Sequence, residues 1–320
     1  MTGPLDAGGA ALLAEVERSG FVEAQHSGAA VVVDPDGAVL ASVGSADSLI
    51  YPRSALKPFQ TVAALRAGAV LDERDLVIVT SSHAGAAHHV DAVRHVLADG
   101  GLTEDDLRCP VAWPSSRREA ADLVRRGLGA SRIAMTCSGN HAGMVRATAA
   151  LGLPVADYLD PTGPVHALAV EVLREHGGAE PLHPGTDGCG GPVWAVPLVA
   201  LARGYGSLLQ AEPALADAIR AHPELIEGAG GEAGTTRAVE RLGVAAKSGA
   251  EGVWCAVTPD GVAVAVKVLD GSPRAAAAAA VALLAGTGAV DAGAAEAWLA
   301  DPSLAVRGGG AEVGRVRPLV

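Results

Sequence analysis

Lysine is nearly missing from this chain: 320 residues contain Lys57, Lys247 and Lys267 against 21 arginines. Arginine cannot be deprotonated inside a protein, whereas a lysine in apolar surroundings can lose its proton. A chain that does its ordinary electrostatics with arginine keeps lysine where a neutral amine is useful. Aromatic residues are only 3%, so the 49% hydrophobic content must build a core from alanine, valine and leucine. A basic excess is absent too. The formal charge is −12 and the isoelectric point near 5.2, which argues against binding nucleic-acid phosphate or an anionic membrane surface. No apolar run reaches the ~18 residues that span a bilayer; the alanine-rich stretch from Arg274 to Leu284 is too short. The start, Met1-Thr2-Gly3-Pro4-Leu5-Asp6, lacks the basic region of a signal peptide. Four widely spaced cysteines (Cys109, Cys137, Cys189, Cys255) then read as reduced thiols, and a cytoplasmic location is expected.

What is present centres on Tyr51-Pro52-Arg53-Ser54-Ala55-Leu56-Lys57-Pro58-Phe59-Gln60. With a helix starting near Ser54, positions three apart share a face and the Ser54 and Lys57 side chains can meet. A deprotonated Lys57 can act as base toward the serine hydroxyl, and apolar neighbours favour the neutral amine.

In chain order, residues 10–17 suit either a short helix or an extended lead-in. Gly28 to Val33 and Ala38 to Val43 form a hairpin around Asp34-Pro35-Asp36-Gly37. The Ser54 helix runs to about Ala67. Leu76 to Val79 reads as a buried strand ending at Thr80-Ser81-Ser82-His83-Ala84-Gly85, before a helix from Ala87 to Asp99. His83, His88, His89 and His95 show no metal-ligand spacing. Residues 102–150 are mostly helical, with small polar loops around Cys109 and around Cys137-Ser138-Gly139-Asn140-His141. Helices follow at 164–177 and 194–204, separated by the turn-rich Thr186-Asp187-Gly188-Cys189-Gly190-Gly191-Pro192. Gly228 to Gly234 lacks the spacing of a phosphate loop. Gly252 to Val257 and Val262 to Val268 make a second hairpin, and Asp270-Gly271-Ser272-Pro273 caps a helix from Arg274 to Leu284. The expected fold is one α/β domain over 1–320. A central antiparallel or mixed sheet of N- and C-terminal hairpins (about 20–45 and 250–270) is flanked by helices, with a mainly helical middle. That closure brings Lys267 toward Ser54.

This order of elements resembles the serine β-lactamase and penicillin-binding-protein architecture. The specific motifs are similar to those of the asparaginase II family, the Rhizobium-type, thermolabile L-asparaginases. They are Arg53-Ser54-Ala55-Leu56-Lys57-Pro58, Ser82-His83-Ala84-Gly85, Cys137 to Met144, Asp187-Gly188-Cys189-Gly190 and Lys247-Ser248-Gly249-Ala250-Glu251-Gly252. The resemblance implies hydrolysis of L-asparagine to L-aspartate and ammonia through a covalent acyl-enzyme. Ser54 would be the nucleophile, Lys57 its base, and Ser82 with Lys267 a second Ser/Lys pair; Lys247 reads as structural. A homodimer is implied as well. No cofactor is required, and zinc is a candidate metal held by Cys137 and Cys189. Related sequences often carry lysine where this chain has Asn140, and an amide is a poor zinc ligand; buried thiols or a disulfide are the alternatives.

Substrate charges need partners. Arg53 can grip a carboxylate as a bidentate fork or brace the helix start through an acid. Asp187 and Glu251 are candidates for the amino group, and His83 for a further polar contact. Two other functions stay open. One is a glutaminase or β-lactam hydrolase, since one methylene alters binding by only ~1–3 kcal/mol; the chain lacks Ser-Asp-Asn and Lys-Thr-Gly tripeptides. The other is a non-catalytic binding or regulatory protein on the same fold.

Overall fold

The structure, a computed structural model, describes residues 3–228, 231 and 233–320. Part of the glycine-rich stretch 228–234 therefore lies outside the described residues. The chain opens with strands β1 (Ala11–Arg18), β2 (Phe21–Val33), β3 (Val39–Val43) and β4 (Leu49–Ile50). A 3-10 turn (Arg53–Leu56) leads into helix α1 (Lys57–Arg66), followed by α2 (Glu73–Thr80), α3 (Ala87–Asp99), α4 (Arg117–Arg125), α5 (Ser138–Ala150) and α6 (Pro164–Gly177). Strands β5 (Leu182–Thr186) and β6 (Pro192–Pro197) precede α7 (Leu198–Ala211), α8 (Pro213–Ala221), α9 (Pro223–Ile226) and α10 (Thr235–Leu242). The chain closes with β7 (Ala245–Gly249), β8 (Val253–Val257), β9 (Ala263–Val268), α11 (Pro273–Gly286), α12 (Ala292–Leu299), β10 (Ala305–Gly308) and β11 (Ala311–Pro318).

The main sheet is antiparallel, in the order β10-β11-β1-β2-β9-β8-β7, with β3 on β2. The two expected hairpins do join, through β2 and β9 with Ala29 opposite Lys267. Strand β2 is long enough to change partners. Its exposed first half pairs with β1, and its second half, Ala29 to Val33, lies between β3 and β9 with every side chain fully buried. A strand buried on both sides reads as a continuous apolar run. Helices α7 and α11 pack on this region. Ala275 to Ala280 of α11 are all buried, and their small side chains let the helix lie close against the sheet.

One open choice is settled and two expectations change. Residues 10–17, which suited a short helix or an extended lead-in, fall almost entirely in strand β1 between β2 and β11. Leu76 to Val79 is helix, because the reciprocal Asp72/Asp75 capping box starts α2 and a four-residue apolar run looks the same in a buried strand and a buried helix. Residues 192–197 are strand between two prolines, so the helix expected from 194 starts at Leu198. Among the described residues no helix is long and apolar enough to cross a membrane.

Candidate active site

The site forms where the Arg53–Leu56 turn, the ends of α2 and α5, the β5–β6 loop and strand β7 meet. Arg53 adopts φ +54°, a left-handed conformation uncommon outside glycine and often found at functional positions. The turn is fixed from two sides. Tyr205 Oη donates to the Ala55 carbonyl at 2.7 Å. Gly249 of β7 passes so close that a Cβ there would lie 2.3 Å from the Pro52 carbonyl oxygen. Phe59, one turn further along α1, is fully buried and meets Tyr205 edge-on, with ring centroids 5.8 Å apart.

Lys57 is the first residue of α1 and is buried. Its Nζ donates to the Ser81 carbonyl at 2.5 Å and to Ser82 Oγ at 3.1 Å. Lys247, in β7, donates from Nζ to the same Ser82 Oγ at 2.8 Å and to the Ser248 carbonyl at 2.7 Å. One hydroxyl thus bridges two buried lysines from different elements. Burial, reinforced by the charge of Lys57, pushes Lys247 down to about 7. Ser54 and Lys57 line one cleft with Arg53, Gln60, Asn140, Asp187 and Cys189, a cavity of about 10 Å³, room for one water.

The expected Ser82/Lys267 pair is corrected: the second lysine on Ser82 is Lys247. Lys267 lies in β9 opposite Val253, where its Nζ donates to the carbonyls of Glu251 and Val268. Lys247, read from the sequence as structural, is thus the lysine that meets Ser82. The clue was the lysine count itself, which marks all three lysines alike. His83 is corrected too. It is fully buried, its Nδ1 accepts from the Gly85 N–H at 3.1 Å, and its Nε2 faces Ser138 Oγ at 2.9 Å. Ser138 Oγ in turn donates to the Ile133 carbonyl, so the neutral ring is a strut between loops with no nitrogen left for a substrate. Desolvation holds His83 well below the ordinary histidine range.

Arg53 Nε donates to Asp187 Oδ1, and Arg53 also stands 3.9 Å from the mainly exposed Glu251 carboxylate. An arginine and two acids therefore cluster at the cleft. Cys137 caps the start of α5, where the helix dipole favours an anion. A hydrogen bond from the Cys189 thiol, with the charge of Lys57, lowers Cys137 against burial, and Cys189 is pushed up in return. All four cysteines are free.

A zinc site fits these residues poorly. Cys189 Sγ lies 3.7 Å from Asp187 Oδ2, yet Cys137, Cys189 and Asp187 do not converge as a ligand set. Among the described residues the one such cluster is Asp72, Asp75 and His95, at the α2–α3 surface. Asp72 and Asp75 there are already engaged in the α2 capping box and Asp75 also bonds His95 at 3.0 Å. Two thiols and an amide fall short of the usual three or four zinc ligands.

Among solved structures, the chain is similar to a β-lactamase from Sphaerobacter thermophilus DSM 20745, with 17% identity and a TM-score of 0.41 over 83% of this chain and 92% of that one. It is also similar to a Bacillus glutaminase in 4.3 M NaCl, with 13% identity and a TM-score of 0.37 over 81% and 90%. A third is a Bacillus subtilis glutaminase in covalent complex with 5-oxo-L-norleucine, with 14% identity and a TM-score of 0.36 over 84% and 87%. A search of curated proteins gives no match. The sequence model for L-asparaginase II matches residues 14–318, and the chain belongs to that family.

Proposed function

We propose that this amidohydrolase cleaves the side-chain amide of L-asparagine through an acyl-enzyme on Ser54. The observation that carries the reading is the convergence of Lys57 and Lys247 on Ser82 Oγ beside the cleft that Ser54 lines. Once Lys57 has given its proton through Ser82 to neutral Lys247, Ser54 Oγ attacks the carboxamide carbon and its proton passes to the Lys57 amine. The tetrahedral oxyanion then collapses and the C–N bond breaks, with the leaving nitrogen protonated from Lys57 to give ammonia. Water repeats the sequence on the ester and releases L-aspartate. Ser82, bonded to both lysines, lets a proton move between Lys57 and Lys247. Lys247, held near 7, supplies an acceptor that is largely neutral above that pH.

The Arg53–Asp187 ion pair supports an amino-acid substrate. A zwitterion entering the cleft can exchange partners with it, its carboxylate taking Arg53 and its ammonium taking Asp187. Glu251 is the second candidate for the ammonium.

One observation favours a second assignment within the same chemistry. Among the described residues Ser82 is the serine whose hydroxyl is hydrogen-bonded to lysine, which makes Ser82 the alternative nucleophile. The test is ammonia release from L-asparagine and L-glutamine by wild type, Ser54→Ala, Ser82→Ala and Lys57→Arg. The proposal expects release from asparagine, at least ~10³-fold loss in Ser54→Ala and loss in Lys57→Arg, which keeps the charge but cannot supply a neutral amine. A wild type silent on both amides overturns the function. An active Ser54→Ala beside a dead Ser82→Ala moves the nucleophile to Ser82.

A further inference from the structure

Asn140 is the third residue of α5, is 2% exposed, and lines the cleft shared by Ser54 and Lys57. Its Nδ2 has no hydrogen-bond partner among the described residues. A buried amide is normally paired, and one that is not deserves a reason. The reason cannot be fold support, since the group holds nothing in place. Its neighbour His141 is held through one ring nitrogen: the Arg108 N–H donates to Tyr158 Oη, which meets His141 Nδ1 at 2.6 Å, while His141 Nε2 has no partner among the described residues. Asn140 lines the cleft in which the reacting carbonyl must lie if Ser54 is to attack it, and its amide N–H groups are not taken by any described protein atom.

We infer that Asn140 Nδ2 donates to the carbonyl oxygen of the scissile carboxamide and holds the oxyanion of the tetrahedral intermediate. This rests on the function proposed above and adds a catalytic residue to it. When the Ser54 Oγ–carbon bond forms, the carbonyl π electrons move onto oxygen, and a donor already aimed there strengthens as that charge grows. Such donors act on kcat, because the neutral ground-state carbonyl is a weaker acceptor. An amide suits the task beside Lys57 because it donates without adding a second charge and without titrating. The same residue explains why the cysteine pair and Asn140 make a poor metal site: this amide is placed to meet a ligand's oxygen.

The experiment compares wild type, Asn140→Leu and Asn140→Asp, measuring kcat and KM for ammonia release from L-asparagine together with Tm. Leucine has similar volume and no donor; aspartate keeps the shape and presents only acceptors. The expected result is a ~10²–10³-fold drop in kcat in both variants with KM changed by no more than about threefold, and a Tm for Asn140→Leu at or above that of wild type. Asn140→Asp decides the matter if the leucine variant does not fold. A kcat within about threefold of wild type overturns the assignment and leaves the proposed function standing, as does a loss carried in KM alone. A lower Tm in Asn140→Leu with normal kcat makes Asn140 structural. A wild type inactive on every carboxamide overturns the proposed function and this assignment with it.

Discussion

Lys247 is buried, and among the described residues its ammonium hydrogen-bonds to Ser82 Oγ and the Ser248 carbonyl. Its folded-state value of about 7 lies below the ordinary 10.5, with desolvation the largest cause. Between those values the unfolded chain binds the extra proton, so stability rises with pH across that window, and below about pH 7 the full penalty of burying the ammonium is present. Lys247→Met is therefore expected to raise Tm most at or below pH 7, with the gain shrinking toward pH 10; a gain that does not vary with pH contradicts the assignment. In the intact enzyme kcat/KM should rise with pH through about 7 as this amine loses its proton. The cysteines give a separate expectation. Because the donor set suits zinc poorly, dialysis against a chelator should leave both Tm and ammonia release unchanged, and a loss restored by zinc would show that the site takes metal. At this scale the sequence was informative about residue type and weak about partners. Three lysines in an arginine-rich chain pointed to the site, and Ser54, Lys57, Ser82, Asp187, Arg53, Cys137 and Cys189 do come together. Which lysine meets Ser82 depended on how the strands pair, and spacing along the chain does not carry that.

Elements meet at this site through close backbone approach. A Cβ on Gly139 would lie 2.1 Å from the Ile78 carbonyl oxygen, and one on Gly143 2.4 Å from Val79 Cγ1. Both glycines face α2 from α5, so they set the separation between the helix end that carries Ser81 and Ser82 and the helix start that carries Cys137 and Asn140. Gly139→Ala should force the helices apart, destabilise the protein by ~1–3 kcal/mol and lower kcat by displacing Asn140 relative to Ser54. Differential scanning calorimetry and steady-state kinetics on this one variant check both, and unchanged values would mean that α5 shifts freely. Helix α1 depends on packing instead: Phe59→Ala should cost ~3–5 kcal/mol, read as a lower Tm, because its ring fills the space beside Tyr205 and Gly204. The sequence marked α6 and both hairpins well, where turn residues and caps bracket the apolar runs. It misread Leu76 to Val79, where capping by Asp72 and Asp75 outweighed a β-like run of side chains.

The whole molecule closes its sheet with residues from the far end of the chain. Strand β11 pairs with β1, setting Val316 against Val16, and β10 covers β11. Neither strand was legible beforehand: Ala311 to Pro318 interleaves arginine, glutamate and glycine with two valines, as a strand near a sheet edge does when its outer face meets water. Removing residues 305–320 should uncover the β1 edge and buried Ala14 and Leu13. The expected outcome is a chain that aggregates or loses cooperative unfolding, and a truncated form with wild-type Tm would show that these strands are dispensable. The overall plan of two hairpins joined in one sheet was readable because each hairpin carries its own turn signal. The joining itself follows from β2 and β9 needing burial on both sides, which only mutual pairing under α7 and α11 provides.

Ser54 as the acylated residue is the claim on which the account turns, and rapid quenching of wild type with L-asparagine in acid, followed by peptide mapping by mass spectrometry, tests it most directly. The account predicts an aspartyl adduct on the peptide carrying Ser54, absent in Ser54→Ala. An adduct on the peptide carrying Ser82, or turnover in Ser54→Ala at the wild-type rate, would contradict it.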